Sequence, residues 1–250
     1  MAHQPYTVQP ILKALRLLEG IASKRHDVTL TEVARDFGLP KTTAFRYLHT
    51  LVQAGFVRHD AKHDRYGVGP RLAMLAEGER GLAKLRQAAR PQMERLANEF
   101  NATINLAISS GLDIVYVEMV RGSRFPAIRA KVGEHHPLHS TAVGKAILAF
   151  LPPGERSAII EAPLNEMTTR TIQSRAALRR QLGQMLKTGY SLDREETESG
   201  VSCIGVPILD DRNYPIAAMS LATGDRQLMA LLDSASRELQ RAAEAIRASE

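Results

Sequence analysis

From Val8 to Lys24 the apolar residues Ile11, Leu12, Leu15, Leu18 and Ile21 recur at three- and four-residue steps, the period of an amphipathic helix with one buried stripe. Thr29 and Glu32 then stand at capping-box spacing, which predicts the start of a second helix with Leu30, Val33, Ala34 and Phe37 turned inward. Gly38 ends it, because a positive φ costs glycine no Cβ clash. Pro40 suits the entrance of a third helix, on which Ala44, Tyr47, Leu48 and Leu51 share the inward face. Beyond Gly55, Phe56 to Asp60 and Arg65 to Val68 flank the polar turn Ala61 to Asp64, the pattern of a short β-hairpin or wing. Leu72, Leu75, Leu82, Leu85, Met93 and Leu96 continue at helical spacing, interrupted by Gly78, Gly81 and Pro91. That stretch predicts a linker helix over 70–88, a break, and the first helix of a second domain.

The pattern then changes period. Thr103 to Ser109 and Asp113 to Met119 read as strands around the turn Ser110-Gly111, and Arg124 to Val132 as a third. Helices are expected over Thr141 to Leu151 and Arg175 to Lys187, the second closed by Gly189. Two strongly apolar strands, Val201 to Leu209 and Ile216 to Ala222, flank the polar loop Asp210 to Asn213, and a last helix runs from Gln227 to Ala248. Strands followed by helices, a hairpin and a closing helix give an α+β class with an antiparallel sheet. The expected division is a winged helix-turn-helix domain over 1–69, a linker helix over 70–88 and a second domain over 89–250.

Composition narrows the classes. An apolar fraction of 44% and a charged fraction of 24% are those of a soluble globular chain, and no stretch approaches the ~20 apolar residues of a membrane span. MAHQPYTVQP lacks the basic and apolar regions of a secretory signal, and a lone Cys203 forms no internal disulfide, so a cytoplasmic protein without membrane contact is expected. The net charge of +6 is concentrated: residues 1–80 hold 12 Lys and Arg against 8 Asp and Glu, whereas residues 81–250 hold 21 against 19. The excess therefore accompanies the helix-turn-helix pattern, as a double-stranded DNA partner requires.

The outward face of the third helix carries Thr42, Phe45, Arg46 and His49, with Lys41 and Thr43 near its N-terminal end, where a groove-inserted helix meets base edges and phosphates. Phe45 reads either as a contact to thymine methyl groups or as a filler beside the wing. Arg46 reads either as a guanine or phosphate contact or as a brace to an acid such as Glu32. Thr29 and Thr31 at the second helix, and Lys62, His63 and Arg65 in the wing, complete the candidate DNA surface.

Other chemistries are poorly supported. His135, His136 and His139 lie beside Glu134, but there is no HExxH order and no second Cys, so neither a metal nor any cofactor is expected. Gly144-Lys145 lacks the glycine and the Ser or Thr of a phosphate-binding loop, since His139 and Ala146 occupy those places. An enzyme using Cys203 and a histidine on a small carbonyl or acyl substrate is the competing hypothesis, though no activating pattern surrounds the thiol. A third class is a general DNA-compacting protein whose second domain only oligomerises.

Three stretches carry a resemblance: GLPKTTAFRYLHTLVQAGFV at 38–57, GEHHPLHSTAVGKAILAFLP at 133–152 and GYSLDREETESGVSCIGVPILD at 189–210. In this order the chain resembles the IclR family of bacterial transcriptional regulators over nearly its whole length, with Thr42 where Ser is more usual. The resemblance implies a GAF-like effector-binding domain, a homodimer or homotetramer, and operator binding modulated by a small metabolite; a repressor is the expected mode. The DREETESGVSCIGVP stretch is similar to the sugar-acid branch, while other branches sense glyoxylate, pyruvate or aromatic acids. Carried across by motif, the effector positions are Phe125, Ile128, His136, Ala142, Val143, Asp193, Val201, Cys203, Ser220 and Ala222. Amides at a helix start near Ala142 and Val143 would hold a carboxylate, and Asp193 would accept hydrogen bonds from ligand hydroxyls. Val201, Cys203 and Ser220 also read as plain strand core, and Asp193 as a solvated turn or helix cap beside Arg194.

Overall fold

The computed structural model describes residues 8–24, 26–77, 80–122 and 130–248, and the chain divides into two compact units at Arg80/Gly81. Phe125 and Ile128, and most of the third strand expected over 124–132, lie outside the described residues.

The first unit is built from α1 (Gln9–Ala22), α2 (Leu30–Asp36), α3 (Lys41–Gln53), the hairpin β1 (Val57–Asp60) and β2 (Arg65–Val68), and α4 (Pro70–Glu77). The capping box forms as its spacing demands: the Glu32 amide donates to Thr29 Oγ1 at 3.2 Å, and the Thr29 amide donates to Glu32 Oε2 at 2.7 Å. Gly38 takes φ +59, which turns the chain between α2 and α3. One apolar cluster joins Leu17, Leu18, Ile21, Val33, Ala44, Leu48, Leu51, Val57 and Tyr66. The stripe on α1 differs from expectation: Ile11 and Leu15 are exposed and Leu17 takes the inward place, because only the C-terminal half of α1 reaches that cluster. Tyr47 packs against the cluster half-buried.

The second unit opens with α5 (Arg80–Phe100), which runs through Pro91 without the expected break near residue 88. Pro91 is on the exposed face, where the lost amide faces water, while Leu85, Ala89, Met93 and Leu96 hold the helix to the sheet. The elements that follow are β3 (Thr103–Ser110), β4 (Asp113–Val120), β5 (His135–Pro137), α6 (Ala142–Phe150), α7 (Pro153–Glu161), α8 (Arg175–Thr188), β6 (Ser191–Arg194), β7 (Ser202–Leu209), β8 (Pro215–Thr223) and α9 (Asp225–Arg247). Among the described residues the strands form one antiparallel sheet in the order β5-β4-β3-β8-β7-β6. The strand that pairs with β4 on its outer side is thus β5.

Strand alternation divides this sheet into two buried faces. Ile104, Leu106, Ile204, Val206, Ile208, Met219 and Leu221 pack against α5 and α9. Ala107, Tyr116, Ala218 and Ala222 face α6 and α8, whose Val143, Ile147, Leu178 and Leu182 complete a second cluster. The result is a sheet sandwiched between helices, with small residues on the α6 side that let α6 come close.

Candidate functional site

On α3, Lys41, Thr42, Phe45, Arg46 and His49 are exposed and Thr43 is half-buried. Phe45 is 48% exposed, with its ring 5.9 Å from that of His49, so it is a surface aromatic and not core. Glu32 is occupied by the Thr29 cap, and neither Lys41 nor Arg46 makes an ion pair with a described residue, which leaves both cations facing solvent. Thr29 is half-buried with its hydroxyl engaged in that cap, and Thr31 is exposed. In the wing, Lys62 is exposed; His63 Nδ1 lies 2.7 Å from Asp60 Oδ2, and Arg65 donates to the Asp27 carbonyl at 2.8 Å. The wing is further tied down by an Arg58–Asp27 pair at 2.8 Å and by the Val28–Tyr66 bridge. This unit therefore presents one helix face whose cations are exposed and make no ion pair with a described residue, and a braced basic hairpin.

In the second unit, register brings several expected residues together. Asp193, Cys203 and Ala222 stand in one row across β6, β7 and β8 on the α6 side of the sheet, and Ser220 stands in the next row, opposite Gly205. A Cβ on Gly205 would come within 2.7 Å of the carbonyl carbon and oxygen of Ala142, so the first turn of α6 lies directly on this strand. Ser191 Oγ donates to the Ala142 carbonyl at 2.6 Å and fixes that approach. Thr141 caps α6 by accepting from the Gly144 amide at 3.0 Å, with Ala142 and Val143 buried in the first turn. Val201 is half-buried just before β7 and packs into the α6-side cluster. His136 is on β5 beside Tyr116, ring centroids 5.5 Å apart, and its Nδ1 is buried without a partner.

Asp193 is a strand residue, not the turn or cap that its polar neighbours suggested. It is 3% exposed and accepts the Glu196 amide at 2.7 Å. Burial raises its carboxyl from the ordinary 3.8 to about 6; Lys145 opposes the shift and Glu196 adds to it. Burial, together with Asp193, also pushes the Cys203 thiol well above its ordinary value, which disfavours the thiolate that a nucleophile needs. His139 is bound through Nε2 to the Asn165 carbonyl at 3.1 Å, and burial lowers its pKa. Among the described residues no group of three or more His, Cys, Asp or Glu side chains is placed to hold a metal ion. No helix among them is long and apolar enough to cross a membrane.

A model of the IclR helix-turn-helix domain matches residues 10–61, and a model of the bacterial transcriptional regulator IclR C-terminal domain matches residues 81–248. The chain belongs to the IclR family of transcriptional regulators. It is 31% identical to the HTH-type transcriptional regulator XynR of Escherichia coli K12, over 86% of each chain. It is 31% identical to the transcriptional repressor IclR of the same organism, over 86% of this chain and 80% of that one. The crystal structure of the Thermotoga maritima IclR superposes with a TM-score of 0.74 at 30% identity, over 96% of this chain and 98% of that one. An IclR homologue from Microbacterium hydrocarbonoxydans, solved in complex with 4-hydroxybenzoate, superposes with a TM-score of 0.76 at 26% identity, over 96% and 98%. These relatives bear the names of transcriptional regulators and repressors, not of enzymes.

Within this IclR-family chain Lys145 and Glu196 form a buried ion pair that sequence reasoning passed over. Lys145, 1% exposed, donates from Nζ to Glu196 Oε1 at 2.6 Å and to Gln181 Oε1 at 2.9 Å. It ties α6 to the segment that follows Asp193, so the Gly144-Lys145 dipeptide is an internal clamp. A cavity of about 310 Å³ between α8 and β6 is lined in part by Lys145, Gln181, Tyr190 and Glu196; none of the motif-derived effector residues among the described residues lines it. Asn105 and Tyr116, on the same sheet face as Ser220 and Ala222, were also missed: inside a strand their polar groups look like ordinary alternation.

Proposed function

We propose that this regulator binds its operator through α3 and the wing and that a small organic acid, seated against α6 and the sheet, modulates that binding. The supporting observation is the convergence of the capped start of α6 on a polar strip of sheet containing Asp193, Cys203 and Ser220. Outward-pointing amides of a helix start favour a carboxylate, and a buried Asp193 suits a ligand bearing hydroxyls. The 4-hydroxybenzoate held by the Microbacterium homologue is an acid of this kind. Lys41, Thr42, Thr43, Phe45, Arg46 and His49 are the reading surface, supported by Thr31 and by Lys62, His63 and Arg65 in the wing. Repression is the favoured mode, since two relatives are named repressors.

The protein acts in the cytoplasm as a homodimer or homotetramer, with the exposed apolar pair Ile11 and Leu15 on α1 supporting self-association. A dimer sets two α3 helices about 34 Å apart, one turn of DNA, or a multiple of it. Residues 1–69 carry the output, 89–250 the input and oligomerisation, and 70–88 the relay. Thermal-shift screening of hydroxy, keto, sugar and aromatic acids tests the input: a ligand at about 100 times its Kd adds ~2.7 kcal/mol of stability. The output is tested by operator affinity, which should exceed affinity for unrelated DNA by about 1,000-fold or more, whereas a DNA-compacting protein would bind both alike.

A further inference from the structure

We infer that Asn105 selects the effector by accepting a hydrogen bond from a hydroxyl that the acid carries several ångströms from its carboxylate. The inference rests on the acid site proposed above and concerns a residue outside the motif-derived set. Asn105 lies on β3, 2% exposed, in the cross-strand row Met119–Asn105–Ser220–Gly205–Ser191. Its Nδ2 donates to Ser220 Oγ at 3.3 Å, which turns Oδ1 away from Ser220, and Oδ1 is buried with no partner. A buried amide carbonyl left unmatched costs free energy that a leucine at the same place would avoid. A donor brought by a ligand removes that cost, and only while the ligand is bound.

The row also sets a length. Gly205 lies under Ala142 at the start of α6, and Asn105 is two strands further along. At about 4.8 Å per strand that is roughly 10 Å, to be bridged by the ligand together with its hydrogen bonds at either end. A para-hydroxylated aromatic acid or a sugar acid of five or six carbons meets that span; glycolate and lactate are too short.

The test measures binding of 4-hydroxybenzoate, benzoate, 4-formylbenzoate, D-gluconate and hexanoate to the full chain and to Asn105→Leu by isothermal titration. The wild type is expected to bind a hydroxylated acid at least about tenfold more tightly than its counterpart without a donor. Asn105→Leu is expected to shrink that gap to about twofold without weakening benzoate or hexanoate, and to be at least as heat-stable as the wild type when ligand-free. Asn105→Val, which suits a strand and offers no acceptor, carries the same test if the leucine variant does not fold. A gap that survives the substitution, or a wild-type preference for 4-formylbenzoate, overturns this inference while leaving the acid site standing. A wild type that binds none of these acids overturns both.

Discussion

Replacing Asp193 by Asn isolates the cost of keeping a buried carboxylate ready for a ligand. In the folded chain Asp193 titrates near 6, against an ordinary value of 3.8, chiefly because burial penalises the anion. Two units of difference correspond to about 3 kcal/mol. The folded state holds the proton more tightly than the unfolded chain, so this group's contribution to stability is fully present below about pH 4 and is lost as the pH rises through about 6. Asn has a similar shape, keeps an oxygen to accept the Glu196 amide, and has no charge to desolvate. Asp193→Asn should therefore match the wild type near pH 4 and exceed it by up to about 3 kcal/mol near pH 8. Urea unfolding followed by far-UV circular dichroism at a series of pH values measures the difference. A gap that does not change with pH, or a variant less stable than the wild type near pH 8, would refute the reasoning. If Asp193 receives ligand hydroxyls, the same variant should also lose most of its response to a hydroxylated acid, trading function for stability.

Four further outcomes are expected. Lys145→Met leaves Glu196 buried without its counter-charge and should cost roughly 3–5 kcal/mol in urea unfolding. Gly205→Ala drives a methyl group into the Ala142 backbone, lifts the start of α6 and should destabilise by roughly 1–3 kcal/mol, with weakened acid binding in the same thermal-shift assay. Thr29→Ala removes the α2 cap, and the expected loss is about 1 kcal/mol of stability by thermal denaturation. Lys41→Ala and Arg46→Ala should each weaken operator binding and lower the slope of log affinity against log salt by about 1, as read in fluorescence anisotropy titrations; an unchanged slope would place that cation outside the interface.

Much of this architecture was legible along the chain because the information is local. The α2 cap depends on residues three apart, the turn at Gly38 on one glycine's freedom, and the faces of α3 on a repeating period. Where the local signal is thin the reading failed. The strand β6 has four residues and carries Ser, Asp and Arg, and α7 has its apolar residues Ile159 and Ile160 bunched at one end. On α1 the period was right but the depth was not, since which part of an apolar stripe meets the core depends on what packs against it.

The two candidate sites divide on the same line. One helix presents the DNA face, so a helical wheel is enough to sort Arg46 from Leu48. Across the sheet, the acid site is assembled from residues that neighbour one another only through strand register: Asp193 beside Cys203, and Asn105 bonded to Ser220 across 115 positions. The Lys145–Glu196 clamp spans 51 positions, and neither residue carries a local mark of its burial. Sequence by itself determined the elements and the chemistry they carry, because backbone periodicity and capping act over a few residues; only tertiary structure decided which polar groups are sealed from water together, because burial and pairing depend on elements distant in the chain.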